Sequence, residues 1–98
     1  MASLDDSDIA FAVDLFSGLG GVTTRKMFGG MCLYRDGTVF ALQSSSGQLY
    51  LKTKDPVALY GQRTEQFHSM PYWAIPEEVL DDPGAACDLA RTALLTLA

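Results

Sequence analysis

The chain has 98 residues, 48% apolar and 19% charged, a globular balance large enough for one core without obligatory disulfides or metal. No run approaches the roughly 18 apolar residues of a membrane span, and the acidic N-terminus, Met1 to Asp8, lacks the basic flank and apolar stretch of a signal peptide. The expectation is one cytoplasmic domain over residues 1–98 with no membrane association, and the net charge of −5 disfavours duplex DNA held through a basic stripe.

A first helix is expected from Ser3 or Asp5 to Ser17. Ser and Asp residues crowd its start, where they cap free N–H groups and meet the positive end of the helix dipole. Ile9, Val13 and Phe16 recur at helical spacing beside Ala12 and define its apolar face. Gly18, Gly20 and Gly21 then end it. Gly18-Leu19-Gly20-Gly21 is glycine-rich, but it follows a helix instead of opening one, and it lacks the Lys-Ser/Thr of a phosphate loop.

From Val22 to Thr53 the period becomes strand-like. A strand from Val22 through Phe28 is broken or bulged by Gly29 and Gly30 before Met31. Asp36-Gly37 suits a two-residue type I′ turn. That turn sets Tyr34 against Val39, Leu33 against Phe40, Cys32 against Ala41 and Met31 against Leu42. Treating Ser44-Ser45-Ser46-Gly47 as a four-residue loop sets Leu42 against Leu49, Ala41 against Tyr50, Phe40 against Leu51 and Val39 against Lys52. Met31, Leu33, Phe40, Leu42, Leu49 and Leu51 then share one apolar face, to be covered by helices. The second face carries Cys32, Tyr34, Val39, Ala41, Tyr50 and Lys52. It is less apolar, yet not the charged surface of a sheet that faces water.

A short helix is expected after Asp55, with Pro56 in its first turn and Gly61 near its end. Gln62 to Tyr72 is weakly patterned, and a strand is placed around Glu65 to Met70, ending at Pro71. Tyr72-Trp73-Ala74-Ile75 reads as an edge strand. Pro76-Glu77-Glu78 reads as a helix start, and Asp82-Pro83 as a second, opening a final helix with Ala86, Leu89, Ala90, Ala93, Leu94 and Leu97 at its apolar positions.

The chemistry for catalysis is thin. His68 is the only histidine, and a nucleophile–base pair or a zinc site built on it would need an unusual set of partners. Carboxylate pairs Asp5/Asp6, Glu77/Glu78 and Asp81/Asp82 fall at helix ends, where capping accounts for them. Cys32 and Cys87 are read as two small buried hydrophobes in a reducing compartment. No catalytic residue, cofactor or metal ligand is assigned.

Several segments together resemble the N-terminal domain of the TfoX/Sxy family. They are Asp14-Leu15-Phe16-Ser17, Arg25-Lys26-Met27-Phe28-Gly29-Gly30, Leu33-Tyr34-Arg35-Asp36-Gly37, Phe40-Ala41-Leu42, Leu49-Tyr50-Leu51-Lys52, and the stretch from Tyr72-Trp73 through Pro76-Glu77-Glu78 to Asp82-Pro83. The resemblance implies an α+β fold: an antiparallel sheet packed by N- and C-terminal helices, akin to secretion-chaperone-like folds. It also implies a role in bacterial competence and DNA transformation, as a transcriptional co-regulator beside the cAMP receptor protein, without established catalysis. Full-length regulators carry a second, C-terminal domain; the resemblance covers the first.

The leading expectation is a non-enzymatic protein-interaction domain, working with transcription machinery or as a homodimer. Its candidate partner surface is Arg25, Lys26, Tyr34, Val39, Tyr50, Lys52 and Trp73, since aromatic bodies with a few cations suit interfaces. Trp73 is either an interface anchor or a core residue. The alternatives are direct nucleic-acid binding through Arg25, Lys26, Lys52 and Lys54, and third a small-molecule enzyme, which would require an apolar pocket with convergent polar groups.

Overall fold

The computed structural model describes residues 4–27 and 29–97, apart from the Leu97 side chain. Ser3, a candidate helix start, Phe28, the expected strand end, and the Leu97 side chain lie outside what it describes. Helix α1 spans Asp6–Leu15 and is followed by one 3₁₀ turn, Ser17–Leu19. Five strands come next, β1 (Val22–Met27), β2 (Gly30–Arg35), β3 (Thr38–Gln43), β4 (Leu49–Lys52) and, after helix α2 (Pro56–Tyr60), β5 (Tyr72–Ala74). Helices α3 (Glu77–Leu80) and α4 (Pro83–Leu97) complete the chain. The strands form one antiparallel sheet in sequence order, so the protein is α+β, with helices from both chain ends on one side.

The caps act as their residue types require. Asp5 accepts the Asp8 N–H at 2.9 Å and opens α1, while Asp55 and Asp82 do the same for α2 and α4 through Ala58 and Ala85. Pro76 caps α3 rather than entering its first turn. The apolar face of α1 is rotated from the expected one: Ala12, Leu15 and Phe16 are buried, whereas Val13 is exposed. Across the core Phe16 meets Phe40 edge to face at 5.3 Å between ring centres. Helix α4 presents Ala86, Cys87, Ala90 and Ala93, all buried. Such small side chains allow close approach, and Gly18 makes room for the Cys87 sulfur, which a Cβ there would meet at 3.3 Å.

The Asp36-Gly37 turn forms as expected, both residues having positive φ (50° and 86°). The register beyond it does not. Tyr34 pairs with Val39, but a bulge follows, and Leu33, Cys32 and Met31 pair with Ala41, Leu42 and Gln43. The next hairpin is also one residue off, because its loop is Ser44–Gln48, five residues instead of the expected four, which sets Gln43 against Leu49, Leu42 against Tyr50 and Ala41 against Leu51. The physical reason for the bulge is that Phe40 and Ala41 are both fully buried on the helix side, which strict alternation forbids and one extra residue permits. Leu42 therefore belongs to the second face, and Ala41 to the first.

Gly29 and Gly30 do not bulge a continuing strand. They belong to a reversal in which Met27 pairs with Gly30 and β1 folds back along β2. Gly29 has φ +80°, and a Cβ on Gly30 would lie 2.5 Å from the Gln43 carbonyl oxygen. Gln43 is itself buried on the helix side, its amide donating to the carbonyls of Asp8 (3.0 Å) and Gly47 (3.1 Å).

The expected strand over Glu65 to Met70 is absent. Residues 62–71 form a loop that pairs with the sheet at one bridge, Gln66 to Trp73. Phe67 N–H donates to Tyr72 O at 2.9 Å and Ala74 N–H to Glu65 O at 2.8 Å, so the loop protects the outer edge of β5.

Candidate functional site

The helices cover one face of the sheet; among the described residues the loop alone crosses the other. A second apolar cluster fills that other face: Cys32, Leu42, Tyr50, Tyr72 and Ala74 are buried, with Tyr34, Val39 and Phe67 packed at its margin. Phe67 anchors the loop, its ring edge-on to Tyr50 at 5.1 Å. Burial raises the Tyr50 phenol above its ordinary range, with a smaller push from the Glu65 carboxylate. Burial also raises Tyr72 and the Cys32 thiol. At neutral pH these groups are protonated, and the cluster itself is uncharged, with hydroxyl and thiol edges.

The expected surface residues do not form one patch. Arg25 lies opposite Cys32 and so belongs to the second face, whereas Lys26 lies opposite Met31, on the helix side. Both are exposed. Tyr34 and Val39 are half-buried neighbours on the second face. Tyr50 shares that face but is only 6% exposed, so it supports the surface from below. Lys52 stands half-buried at the end of β4 opposite Tyr72. Trp73, opposite Leu51, turns toward the helix side, half-buried, with the Arg63 guanidinium 5.5 Å from its ring centre. Arg25 and Lys52 on one face and Lys26 on the other do not add up to a single basic groove.

Residues that pattern reading passed over complete the site. A cavity of about 380 Å³ opens where the loop crosses the sheet. Gly30, Cys32 and Leu42 line it from the strands, and Phe67, His68 and Met70 from the loop. Ser44 and Ser45 lie at its rim. Weak patterning in 62–71 hid the loop's contribution, and the unforeseen bulge hid Leu42. Tyr60 was also missed: its hydroxyl donates to Trp73 O at 2.7 Å, tying α2 to β5, and burial drives its pKa far upward. Cys32 and Cys87 are both buried and free as expected, and they belong to the two different clusters.

Fold and face together define a two-layer α+β domain whose sheet has one helix-covered side and one loop-roofed side. The family model described as TfoX N-terminal domain matches residues 14–96, and the chain belongs to that family. A search of curated proteins found no match. Among the described residues no helix is long and apolar enough to cross a membrane.

Proposed function

We propose that this domain is a non-enzymatic interaction module, a transcriptional co-regulator in bacterial competence and DNA transformation. The observation that carries the reading is the open end of the second sheet face. There Tyr34 and Val39 remain half-buried with no helix above them among the described residues, beside the cations Arg25 and Lys52. An aromatic and aliphatic centre with a charged rim is the usual anatomy of a protein interface. Family membership supplies the biological setting, and the partner is a transcription regulator of the kind the cAMP receptor protein represents. The enzyme reading asked for an apolar pocket with convergent polar groups. The cavity offers apolar walls, and the Ser44 hydroxyl in its lining is paired with that of Ser46 at 2.8 Å.

The test is calorimetric titration of the chain with purified cAMP receptor protein from the same cell, alongside light scattering of the chain alone. Binding is expected, and Tyr34→Asp and Val39→Asp should each abolish it while leaving the circular dichroism spectrum intact. A monomer whose binding survives both substitutions would remove this face from the function. Self-association lost in the same variants would reassign the face to a second copy of the chain.

A further inference from the structure

The chain's single histidine, one of its two cysteines and two of its four methionines line one cavity: His68, Cys32, Met27 and Met70. They come from β1, β2 and the 62–71 loop, and nothing in their spacing along the chain brings them together. The Cys32 thiol donates a hydrogen bond to the Met27 thioether, the two sulfurs 3.8 Å apart. A metal bonded to two sulfurs at about 2.3 Å with a near-tetrahedral angle holds them roughly 3.8 Å apart. Met27 and Met70 are also 37% and 45% exposed, among the few large apolar side chains that the core does not use. Neither belongs to either apolar cluster.

We propose that this cavity is a binding site for a soft monovalent metal ion, copper(I), with Cys32 and Met27 as its first two ligands and a third from His68 or Met70 on the loop. Donor chemistry selects the ion. Thiolate and thioether sulfurs favour copper(I), whereas zinc sites rely on thiolate, imidazole and carboxylate. Among the described residues no group of three or more His, Cys, Asp or Glu is placed to hold a metal, so a metal here would also draw on the thioether sulfurs. Charge agrees: a copper(I) ion on one thiolate is a neutral unit that an apolar wall tolerates, while a divalent ion would leave a net positive charge beside Leu42 and Phe67. Binding forms a copper–sulfur bond and breaks the Cys32 S–H bond. The proton passes to solvent, and no oxidation state changes. The assignment is independent of the proposed interaction surface.

The experiment is an anaerobic titration of the full chain with copper(I) in competition with the chromophoric chelator bicinchoninate. One equivalent should be withdrawn from the chelator. Cys32→Ser should weaken binding by more than about 100-fold, beyond what loss of a merely supporting hydrogen bond costs a metal site. Met27→Leu keeps the side-chain volume, guards against a folding defect in the cysteine variant, and should cost about tenfold. Cys87→Ser, on the far side of the sheet, should bind as the parent does. Failure to compete with the chelator, unchanged affinity in Met27→Leu, or equal loss in Cys87→Ser would each overturn the site. So would zinc(II) displacing bound copper(I).

Discussion

On the helix side of the sheet, Leu33, Phe40 and Leu51 are wholly excluded from solvent beneath α1 and α4. On the other side Cys32, Leu42 and Tyr50 are nearly as buried, but their cover is an irregular loop held by one bridge, a few backbone hydrogen bonds and the Phe67 ring. Similar burial is reached by different means. A helix satisfies its own backbone groups and brings many side chains down at once. The loop satisfies few and brings down one aromatic. The first side is therefore expected to open only with global unfolding, and the second by local opening, the property wanted in a face that exchanges partners or ligands.

The comparison can be broken most severely at Phe40. Phe40→Ala removes the ring that meets Phe16 and should cost about 3–5 kcal/mol in chemical denaturation; a loss below about 1 kcal/mol would mean that the helix side is loosely packed. Next is Gly30→Ala, which forces a Cβ against the Gln43 backbone oxygen and should cost about 1–3 kcal/mol while disturbing both faces. Phe67→Ala should cost only about 1–2 kcal/mol, because the ring is half-buried and its chief loss is the aromatic pair with Tyr50. Its distinctive effect is on hydrogen exchange: amides of 65–74 should exchange faster, with those of β2 and β3 unchanged. Faster exchange throughout the sheet would show that the loop is integral to the core. Smallest is Arg91→Ala, which removes an exposed ion pair with Asp88 and a long hydrogen bond to the Gly18 carbonyl. Less than about 1 kcal/mol is expected in the same denaturation assay.

Local signals were dependable wherever one residue's chemistry dictates one backbone geometry. Asp36-Gly37 named its turn, and Asp55-Pro56 and Asp82-Pro83 named helix starts. Tyr72 to Ala74 announced an edge strand through its aromatic and apolar content. The faces were legible only in part. Val39-Phe40-Ala41-Leu42 is an uninterrupted apolar run, so alternation had nothing to read, and the bulge that assigns Leu42 to the second face left no mark. The error in β4 has its own source: the connection is the five-residue loop Ser44–Gln48 instead of the expected four, and loop length sets a hairpin's register.

By itself the sequence determined the α+β class, the Asp caps, the Asp36-Gly37 turn and the family, since these depend on residue type and short-range order. Only the tertiary structure decided how the two sheet faces are covered. It drew the 62–71 loop across the second face, sank Tyr50 beneath Phe67, turned Lys26 and Trp73 away from Arg25 and Tyr34, and gathered Met27, Cys32, His68 and Met70 around one cavity. Those outcomes depend on packing between segments far apart in the chain, and strand parity fixes a side chain's face only once the register is known.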